Sequence, residues 1–386
     1  MAPPSCFTRP EHLISAVPGT WSRSSTHEAP QQWRHASPTS WDDVLPRLAL
    51  PAYIADNARR YSCSTSRSTS HVFRSTNASC ALQPLLREGL REPLRERYRR
   101  LAGLRLTLLG DSTMGQLYVS LGVLTHGLNI TLKYWHIPYV PNYSVILSWL
   151  RSHGARRSDA DVVIVNVGSW YNLNCFSAAR RHQPSGTPCP VWDASWVATG
   201  VPGAELTTDV SAYGEFRRVS GTNTPAYYAS DVTRLARIFN SSRELGLAPF
   251  IWRETLAQHH RGGLFEPGVP CCECYEHPKA GTAAERAAPN WRNAMATPIL
   301  AHHAVPIMPQ YAYSAGAFFM HGDDCTHYCT NSQLTSLVAD VTMQWLALWL
   351  ELRPKSINKP RTLGTTSVHL RDDWRGSHRQ RLSRMR

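Results

Sequence analysis

Two short polar segments carry the residue types that cleave or transfer an ester. The first, GDS at 110–112, directly follows the apolar run LRLTLL, and the second is DCTH at 324–327. An aspartate three residues before a histidine can accept its Nδ1–H and fix its tautomer, which leaves Nε2 to take a proton from a serine hydroxyl. The two segments therefore predict Ser112 as a nucleophile, His327 as its general base and Asp324 as the partner that orients His327.

Ser112 stands where an apolar run stops and a helix-like pattern begins. A serine in the first turn of a helix, just beyond a parallel strand, is exposed, and the helix dipole stabilises the negative charge that develops during attack. The same tripeptide is also an ordinary strand–helix turn in which Asp111 or Ser112 caps the helix. The chain contains 17 histidines, so His327 alone is weak support for catalysis, and its segment also fits a surface loop.

Strand-like and helix-like segments alternate through the central part of the chain. Four short apolar segments bounded by turn formers are predicted strands: 104–110, 161–170, 248–255 and 303–311. Helices are predicted at 114–125, 143–153, 228–245, 289–302 and 332–350. This order predicts an α/β fold with a mostly parallel, doubly wound sheet.

The carboxyl ends of these strands are the expected location of a site, because parallel strands end at one edge of the sheet and ligands bind there. The residues that follow the strands are Ser112 after the first, Asn166, Gly168 and Trp170 after the second, and Arg253 and His259 after the third, with His327 just before the last helix. Polar and small residues at every strand end favour one shared cleft over a set of unrelated turns.

Ten cysteines and four N-glycosylation sequons indicate the secretory pathway. The even number of cysteines allows five disulfides, and the sequons begin at Asn77, Asn129, Asn142 and Asn240. The cluster CCEC at 271–274 has poor spacing for zinc, so disulfide or structural cysteines are favoured there over a metal site. A bridge between Cys325 and Cys329, if formed, would pin the loop that carries His327.

The N-terminus lacks the charged start and apolar centre of a signal peptide, and no apolar run is long enough to cross a membrane. We therefore expect a protein of the Golgi lumen or a secreted protein whose targeting segment is missing from this sequence, with no membrane anchor in this chain.

The chain divides by composition into three parts. Residues 1–45 are rich in Pro, Ser, Thr and His without a sustained period, and the last 32 residues hold nine basic and two acidic side chains, or +7 of the net +13. We expect a flexible arm over 1–45, a catalytic domain over 46–353 and a basic, disordered tail over 354–386. The remaining body is only mildly basic and carries no nucleic-acid-binding motif, so no nucleic-acid partner is expected.

Four motifs occur in the order found in a known family. They are LTLLGDS at 106–112, VIVNVGSWY at 163–171, WRETLAQHH at 252–260 and DDCTHYC at 323–329. The GDS serine and the later Asp-x-x-His pair resemble the SGNH/GDSL hydrolase architecture. The four motifs together resemble the PC-esterase family, and within it the trichome-birefringence-like polysaccharide O-acetyltransferases. The resemblance covers about residues 60–350 and implies an SGNH-hydrolase-like three-layer sandwich.

The resemblance implies roles for the residues at the strand ends. The serine, histidine and aspartate named above would form the catalytic triad, with the serine carrying a transient acyl group. The backbone N–H groups of Ser112 and Gly168 would form an oxyanion hole, with the Asn166 side chain as a weaker donor. The implied substrate-binding residues are Trp170, Arg253 and His259.

The chain also departs from the family pattern. Gly115 stands where plant members usually have an arginine, and the family's DCxHWC is DCTHYC here. The acceptor sugar therefore cannot be carried over from the family.

Four functions fit the sequence. The first is an O-acyltransferase that moves an acetyl group onto a polysaccharide or glycan hydroxyl, and the second is a carbohydrate or lipid esterase in which water accepts the acyl group from the same triad. The third is a non-catalytic glycan-binding module, and the fourth, a basic nucleic-acid binder, rests on the tail alone. We expect no metal and no nucleotide cofactor. The acetyl donor is open, and acetyl-CoA would suit the chemistry.

Overall fold

The computed structural model describes the central part of the chain with several gaps. The described residues are 7, 10–13, 16, 19–23, 59, 71–75, 96–125, 127–137, 146, 150, 161–169, 171, 225–242, 244–259, 274, 290–321, 325–330 and 332–353. The predicted tail at 354–386 and nearly all of the predicted helix at 143–153 lie outside them.

The regular elements alternate much as the sequence predicts. The strands are β1 (Gly19–Arg23), β2 (His71–Ser75), β3 (Arg105–Gly110), β4 (Thr131–His136), β5 (Asp161–Asn166), β6 (Phe250–Arg253) and β7 (Ile307–Met308). The helices are α1 (Ser112–Thr125), α2 (Pro225–Asn240), α3 (Trp291–His302), α4 (Tyr311–Ala315) and α5 (Gln333–Leu352). Short 3-10 segments span Pro10–Leu13, Arg99–Leu101 and Phe318–Met320.

Five strands form one sheet in the order β4-β3-β5-β6-β7, and every neighbouring pair is parallel. Helices cover both of its faces. Alternate side chains of the strands accordingly enter two separate apolar clusters, one on each face. Leu106 and Leu108 of β3 pack with α1 and α5, whereas Leu109 packs with α2 and α3. The predicted α/β fold with a parallel, doubly wound sheet is therefore confirmed, and it has three layers.

The strand register brings the polar strand ends together. Gly110, the last residue of β3, lies beside Asn166 at the end of β5 and beside His136 at the end of β4. The chain then turns directly into α1, so that Ser112 stands at the edge of the sheet where the other strands end. This is the edge at which sites form in parallel sheets.

Two features of the fold escaped the sequence analysis. The edge strand β4 was not predicted, and neither was the antiparallel pair of β1 and β2. The second feature corrects the expected flexible arm at 1–45, because its described residues are anchored in the core. Phe7 is buried, the indole N–H of Trp21 donates to the Tyr313 carbonyl at 2.7 Å, and that of Trp345 donates to the Leu13 carbonyl at 3.1 Å.

In the described ranges, no helix is both long and apolar enough to span a membrane. The sequon residues Asn129 and Asn240 are exposed, and Asn77 and Asn142 lie outside the described residues.

Gly110 is required by the close contact between the ends of β3 and β5. A Cβ atom at this position would overlap the Asn166 carbonyl oxygen and lie 2.5 Å from Met114 Cγ, whereas the nearest atoms to one at Gly115 belong to the Tyr134 side chain, with the hydroxyl oxygen at 3.2 Å. We expect Gly110→Ala to lower the free energy of unfolding by about 3 kcal/mol, since backbone must move to admit the methyl group. Gly115→Ala should change it by no more than about 1 kcal/mol, because alanine is the better helix former. Urea titrations of both variants test this, and equal effects would contradict it.

Candidate active site

The nucleophile and base predicted from the sequence meet in the fold. His327 Nε2 lies 2.6 Å from Ser112 Oγ, although 215 positions separate the two residues. Ser112 opens α1, and His327 lies in the loop before α5. Both side chains are partly exposed. A hydrogen bond of this length suits direct proton transfer from the hydroxyl to the imidazole.

Asp324, the predicted orienting residue, and Trp170, a predicted substrate-binding residue, lie outside the described residues. Their roles remain predictions.

Backbone contacts hold the loop of His327 against α1 and the segment after β6. Gln116 on α1 forms a two-point contact with Tyr328: its side-chain Nε2 donates to the Tyr328 carbonyl at 2.6 Å, and its Oε1 accepts the Tyr328 N–H at 3.3 Å. The His259 N–H donates to the Cys325 carbonyl at 2.9 Å. These contacts bind the loop on both sides of His327.

A disulfide joins Cys325 to Cys274. It replaces the Cys325–Cys329 bridge that the sequence left open, and Cys329 is itself disulfide-bonded. The structure supports the disulfide interpretation of the 271–274 cluster at Cys274. The distant partner explains why sequence spacing did not reveal the pairing, since Cys274 and Cys325 are 51 positions apart.

The Asp111 carboxylate lies beneath Ser112 and joins the ends of two strands. Its Oδ1 accepts the Thr113 N–H at 2.9 Å and the Thr113 hydroxyl at 2.7 Å, and its Oδ2 accepts the N–H groups of Gly168 at 3.2 Å and Ser169 at 3.0 Å. Asp111 is fully buried. It thus caps α1, as one of the two sequence interpretations proposed, and it leaves the Ser112 hydroxyl available to His327.

The predicted oxyanion donors differ in what they already bind. The Gly168 N–H donates to Asp111, and the Asn166 amide donates to the Arg253 carbonyl and the Thr255 hydroxyl, each at 2.9 Å. Both protons of the Asn166 amide are therefore occupied by internal bonds. The Ser112 N–H lies in the first turn of α1, where backbone N–H groups have no acceptor within the helix.

Ser169 presents a donor that the sequence analysis missed. Its hydroxyl oxygen is buried and has no hydrogen-bond partner in the described structure, and its N–H is held by Asp111. Gln258 holds the backbone carbonyl of Ser169. Its Nε2 donates to that carbonyl at 3.0 Å and to the Thr326 hydroxyl at 3.1 Å. Ser169 thus lies between the end of β5 and the residue that precedes His327. A serine beside the predicted Gly168 was the only available sequence signal.

The sequence had predicted that Arg253 lines the cleft, whereas its side chain lies beneath the site. Its side chain is 1% exposed, its Nε donates to Gln310 Oε1 at 2.5 Å, and its Nη1 lies 3.2 Å from Met114 Sδ. Burial lowers the pKa of Arg253 to about 10, while the nearby Asp111 carboxylate opposes this shift. Arg253 is therefore a buried cation behind the first turn of α1.

The sequence had also predicted that His259 lines the cleft, but its side chain is buried. Its Nδ1 lies 2.7 Å from His321 Nε2, and His321 Nδ1 lies 3.1 Å from the His327 carbonyl oxygen. His259 is thus connected to the His327 loop through His321, a residue that the sequence analysis did not single out.

Within the described ranges, no three His, Cys, Asp or Glu residues lie close enough to hold a metal ion. The described groups that can do chemistry are a serine hydroxyl, a histidine in contact with it, and nearby N–H and O–H donors. Such a set can transfer an acyl group through a serine ester.

No protein-family model and no curated protein matches the sequence. Among solved structures, the chain is similar to the crystal structure of LAE5, an α/β hydrolase enzyme from the metagenome of Lake Arreo in Spain. The sequence identity is 12% and the TM-score is 0.31, over 64% of this chain and 96% of that chain. A similarity this low says nothing about activity, so the resemblance to the PC-esterase family rests on the four motifs alone.

Asp111 tests the link between the fold and the site. In Asp111→Asn the amide nitrogen would meet N–H groups that can only donate, so we expect a loss of about 2–4 kcal/mol in the free energy of unfolding. Asp161→Asn is the matched control, because Asp161 lies at the opposite end of the sheet and pairs with the partly exposed Arg105 at 2.6 Å. We expect it to cost about 1 kcal/mol. Chemical denaturation of both variants measures the difference, and equal losses would contradict the special role of Asp111.

Proposed function

We propose that this chain catalyses acyl transfer through a serine ester on Ser112. The observation that carries the proposal is the 2.6 Å contact between His327 Nε2 and Ser112 Oγ at the N-terminus of α1. A structural serine needs no histidine at this distance, and the helix N-terminus favours the negative charge that develops on attack.

In the proposed reaction, Ser112 Oγ attacks the carbonyl carbon of an ester or thioester while its proton passes to His327 Nε2. The tetrahedral intermediate carries a negatively charged oxygen, for which the Ser112 N–H and the Ser169 hydroxyl are the proposed donors. Collapse expels the leaving group, which takes the proton from His327 and leaves acyl-Ser112. An incoming hydroxyl then repeats these steps in reverse, with His327 removing its proton.

The specific reaction we propose is O-acetyl transfer onto a polysaccharide or glycan hydroxyl in the secretory pathway. The motif resemblance supports the acetyl group and the sugar acceptor, and the disulfide together with the exposed sequons at Asn129 and Asn240 supports the compartment. Hydrolysis of an acetyl ester is the second candidate, because the partly exposed Ser112 is accessible to water.

The acyl-serine is directly measurable. The full chain, made in a disulfide-competent host, is mixed with p-nitrophenyl acetate with or without xylan oligosaccharides, and protein and sugars are weighed by mass spectrometry. We expect one acetyl group on the wild type and none on Ser112→Ala. His327→Ala should form the acyl-enzyme at least about 1000-fold more slowly.

Ser120→Ala is the matched control, since Ser120 lies on the same helix and its hydroxyl donates to the Gln116 carbonyl within the helix. It should acylate at the wild-type rate. Acetylated sugar would establish transfer, and nitrophenol release without it would establish hydrolysis. Equal labelling of wild type and Ser112→Ala would contradict the proposal.

Ser169 offers a separate test of the oxyanion donors. We expect Ser169→Ala to lower kcat for p-nitrophenyl acetate about 10- to 100-fold with little change in KM, because the lost bond forms with the intermediate and not with the substrate. Its stability should change little, since the hydroxyl has no partner to lose in the described structure. An unchanged kcat would assign the oxyanion to other donors.

A further inference from the structure

Two buried histidines form a continuous line of contacts that ends at the backbone of His327. His259 Nε2 lies 3.0 Å from the Ala315 carbonyl oxygen, His259 Nδ1 lies 2.7 Å from His321 Nε2, and His321 Nδ1 lies 3.1 Å from the His327 carbonyl oxygen. Both histidine residues are 0% exposed. All four ring nitrogens therefore have a polar neighbour at hydrogen-bond distance.

The number of protons follows from the chemistry of these neighbours. A carbonyl oxygen only accepts, so His259 Nε2 and His321 Nδ1 must both carry hydrogen. The two inner nitrogens lie 2.7 Å apart, and two bare lone pairs would repel at that separation. One inner nitrogen must therefore carry hydrogen as well. The two rings hold three protons where two neutral imidazoles hold two.

We infer that His259 and His321 share one additional proton, and that the hydrogen bond which this proton maintains from His321 Nδ1 to the His327 carbonyl positions the loop that carries the catalytic base. The positioning part of the inference rests on the proposed function, whereas the shared proton does not.

The surroundings of the pair suit a buried positive charge. The Tyr328 ring stacks on His321 with a centroid distance of 4.1 Å and an interplanar angle of 25°, so the face of an aromatic ring covers the cation. The Tyr328 hydroxyl donates to the Ala257 carbonyl at 2.6 Å and lies 3.4 Å from His259 Nδ1. Burial raises the pKa of Tyr328 well above its usual value of 10.0, so this phenol stays neutral.

Other ionisable groups lie on the described elements around the pair. Arg253 lies within electrostatic range of Tyr328, and Glu254 accepts the N–H groups of Gln310 and Tyr311 at the start of α4. Cys325 is in a disulfide and does not titrate. Asp323 and Asp324 belong to the same loop and lie outside the described residues.

Loss of the shared proton would break one of the three contacts. The inner nitrogens would then repel, or one ring would turn away from its carbonyl acceptor. A rotation of the His321 ring would remove its bond to the His327 carbonyl, and the antiparallel backbone bridge between His321 and Tyr328 would be left to hold that part of the loop. His321 is thus a positioning residue, since its described contact with His327 is to the backbone carbonyl and not to the ring.

Two substitutions separate the charge from the bond to His327. In His321→Asn the side-chain amide nitrogen takes the place of Nδ1, so the bond to the His327 carbonyl is kept while the shared proton is lost. In His321→Leu both are lost. His302→Asn is the control, because His302 is an exposed histidine at the end of α3.

The shared proton can be tested without an activity measurement. In the full chain labelled with ¹⁵N-histidine, we expect a strongly downfield N–H···N proton in wild type and in His302→Asn, and none in His321→Asn. The folded wild type also binds one more proton than the unfolded chain above pH of about 6.5, where free histidine is neutral. The folding equilibrium constant of the wild type should therefore fall as the pH rises, by up to a further tenfold per pH unit compared with His321→Asn. This difference should end at the pH where the folded pair releases its proton.

The positioning role is tested with p-nitrophenyl acetate. We expect kcat to fall at least about tenfold in His321→Leu with KM unchanged, and to recover to within about threefold of wild type in His321→Asn. Equal pH slopes for wild type and His321→Asn, or bare inner nitrogens in the spectrum, would overturn the shared proton. A kcat in His321→Leu equal to that of wild type would overturn the positioning role. A wild type that turns over no ester would overturn the proposed function, and the spectra and pH slopes would still decide on the pair.

Discussion

The Asp111 carboxylate is the interaction on which the rest of the site depends. A parallel sheet brings the ends of β3 and β5 to one edge, but two adjacent strand ends do not by themselves fix the loops that follow them. Asp111 does so by accepting two donors from Thr113 and two backbone N–H groups from Gly168 and Ser169. One buried anion therefore determines where α1 begins and how the loop after β5 approaches it. Ser112 stands at the partly exposed start of α1 as a consequence.

His327 reaches this serine through a loop that is held from several directions. Gln116 binds the backbone of Tyr328 from α1, the His259 N–H binds Cys325 from the segment after β6, and a disulfide fixes Cys325 to Cys274. None of these contacts uses the His327 ring. Since the ring is left to contact Ser112, the position of His327 is set by the backbone that carries it. A change far from the serine can therefore alter the distance between His327 and Ser112.

The sequence predicted the parts of this arrangement that depend on local patterns. Continuous apolar runs such as DVVIVN are typical of central parallel strands, and β5 is buried along its whole length. The edge strand β4 escaped prediction because exposed Thr131 and Lys133 interrupt its apolar pattern. The sequence likewise predicted that His259 and Arg253 lie near the site. It could not predict the direction of their side chains, because a side chain at a strand end can point into a cleft or beneath it. Only tertiary packing decides between these, and here it buries both.

Two buried arginines, Arg253 on β6 and Arg292 on α3, lie within electrostatic range of Asp111. Burial lowers the pKa of Arg253 and of Arg292 to about 10, still well above neutral pH, so both guanidinium groups remain charged. The nearby carboxylate is Asp111, which accepts four hydrogen bonds. A buried charge acts more strongly on its neighbours than an exposed one, because less water screens it. In the proposed reaction, a negatively charged tetrahedral intermediate at Ser112 would form near this carboxylate and at the N-terminus of α1. The two cations near Asp111 would offset the repulsion that its carboxylate alone would exert on the proposed oxyanion, so that Asp111 could organise the loops without opposing the reaction we propose.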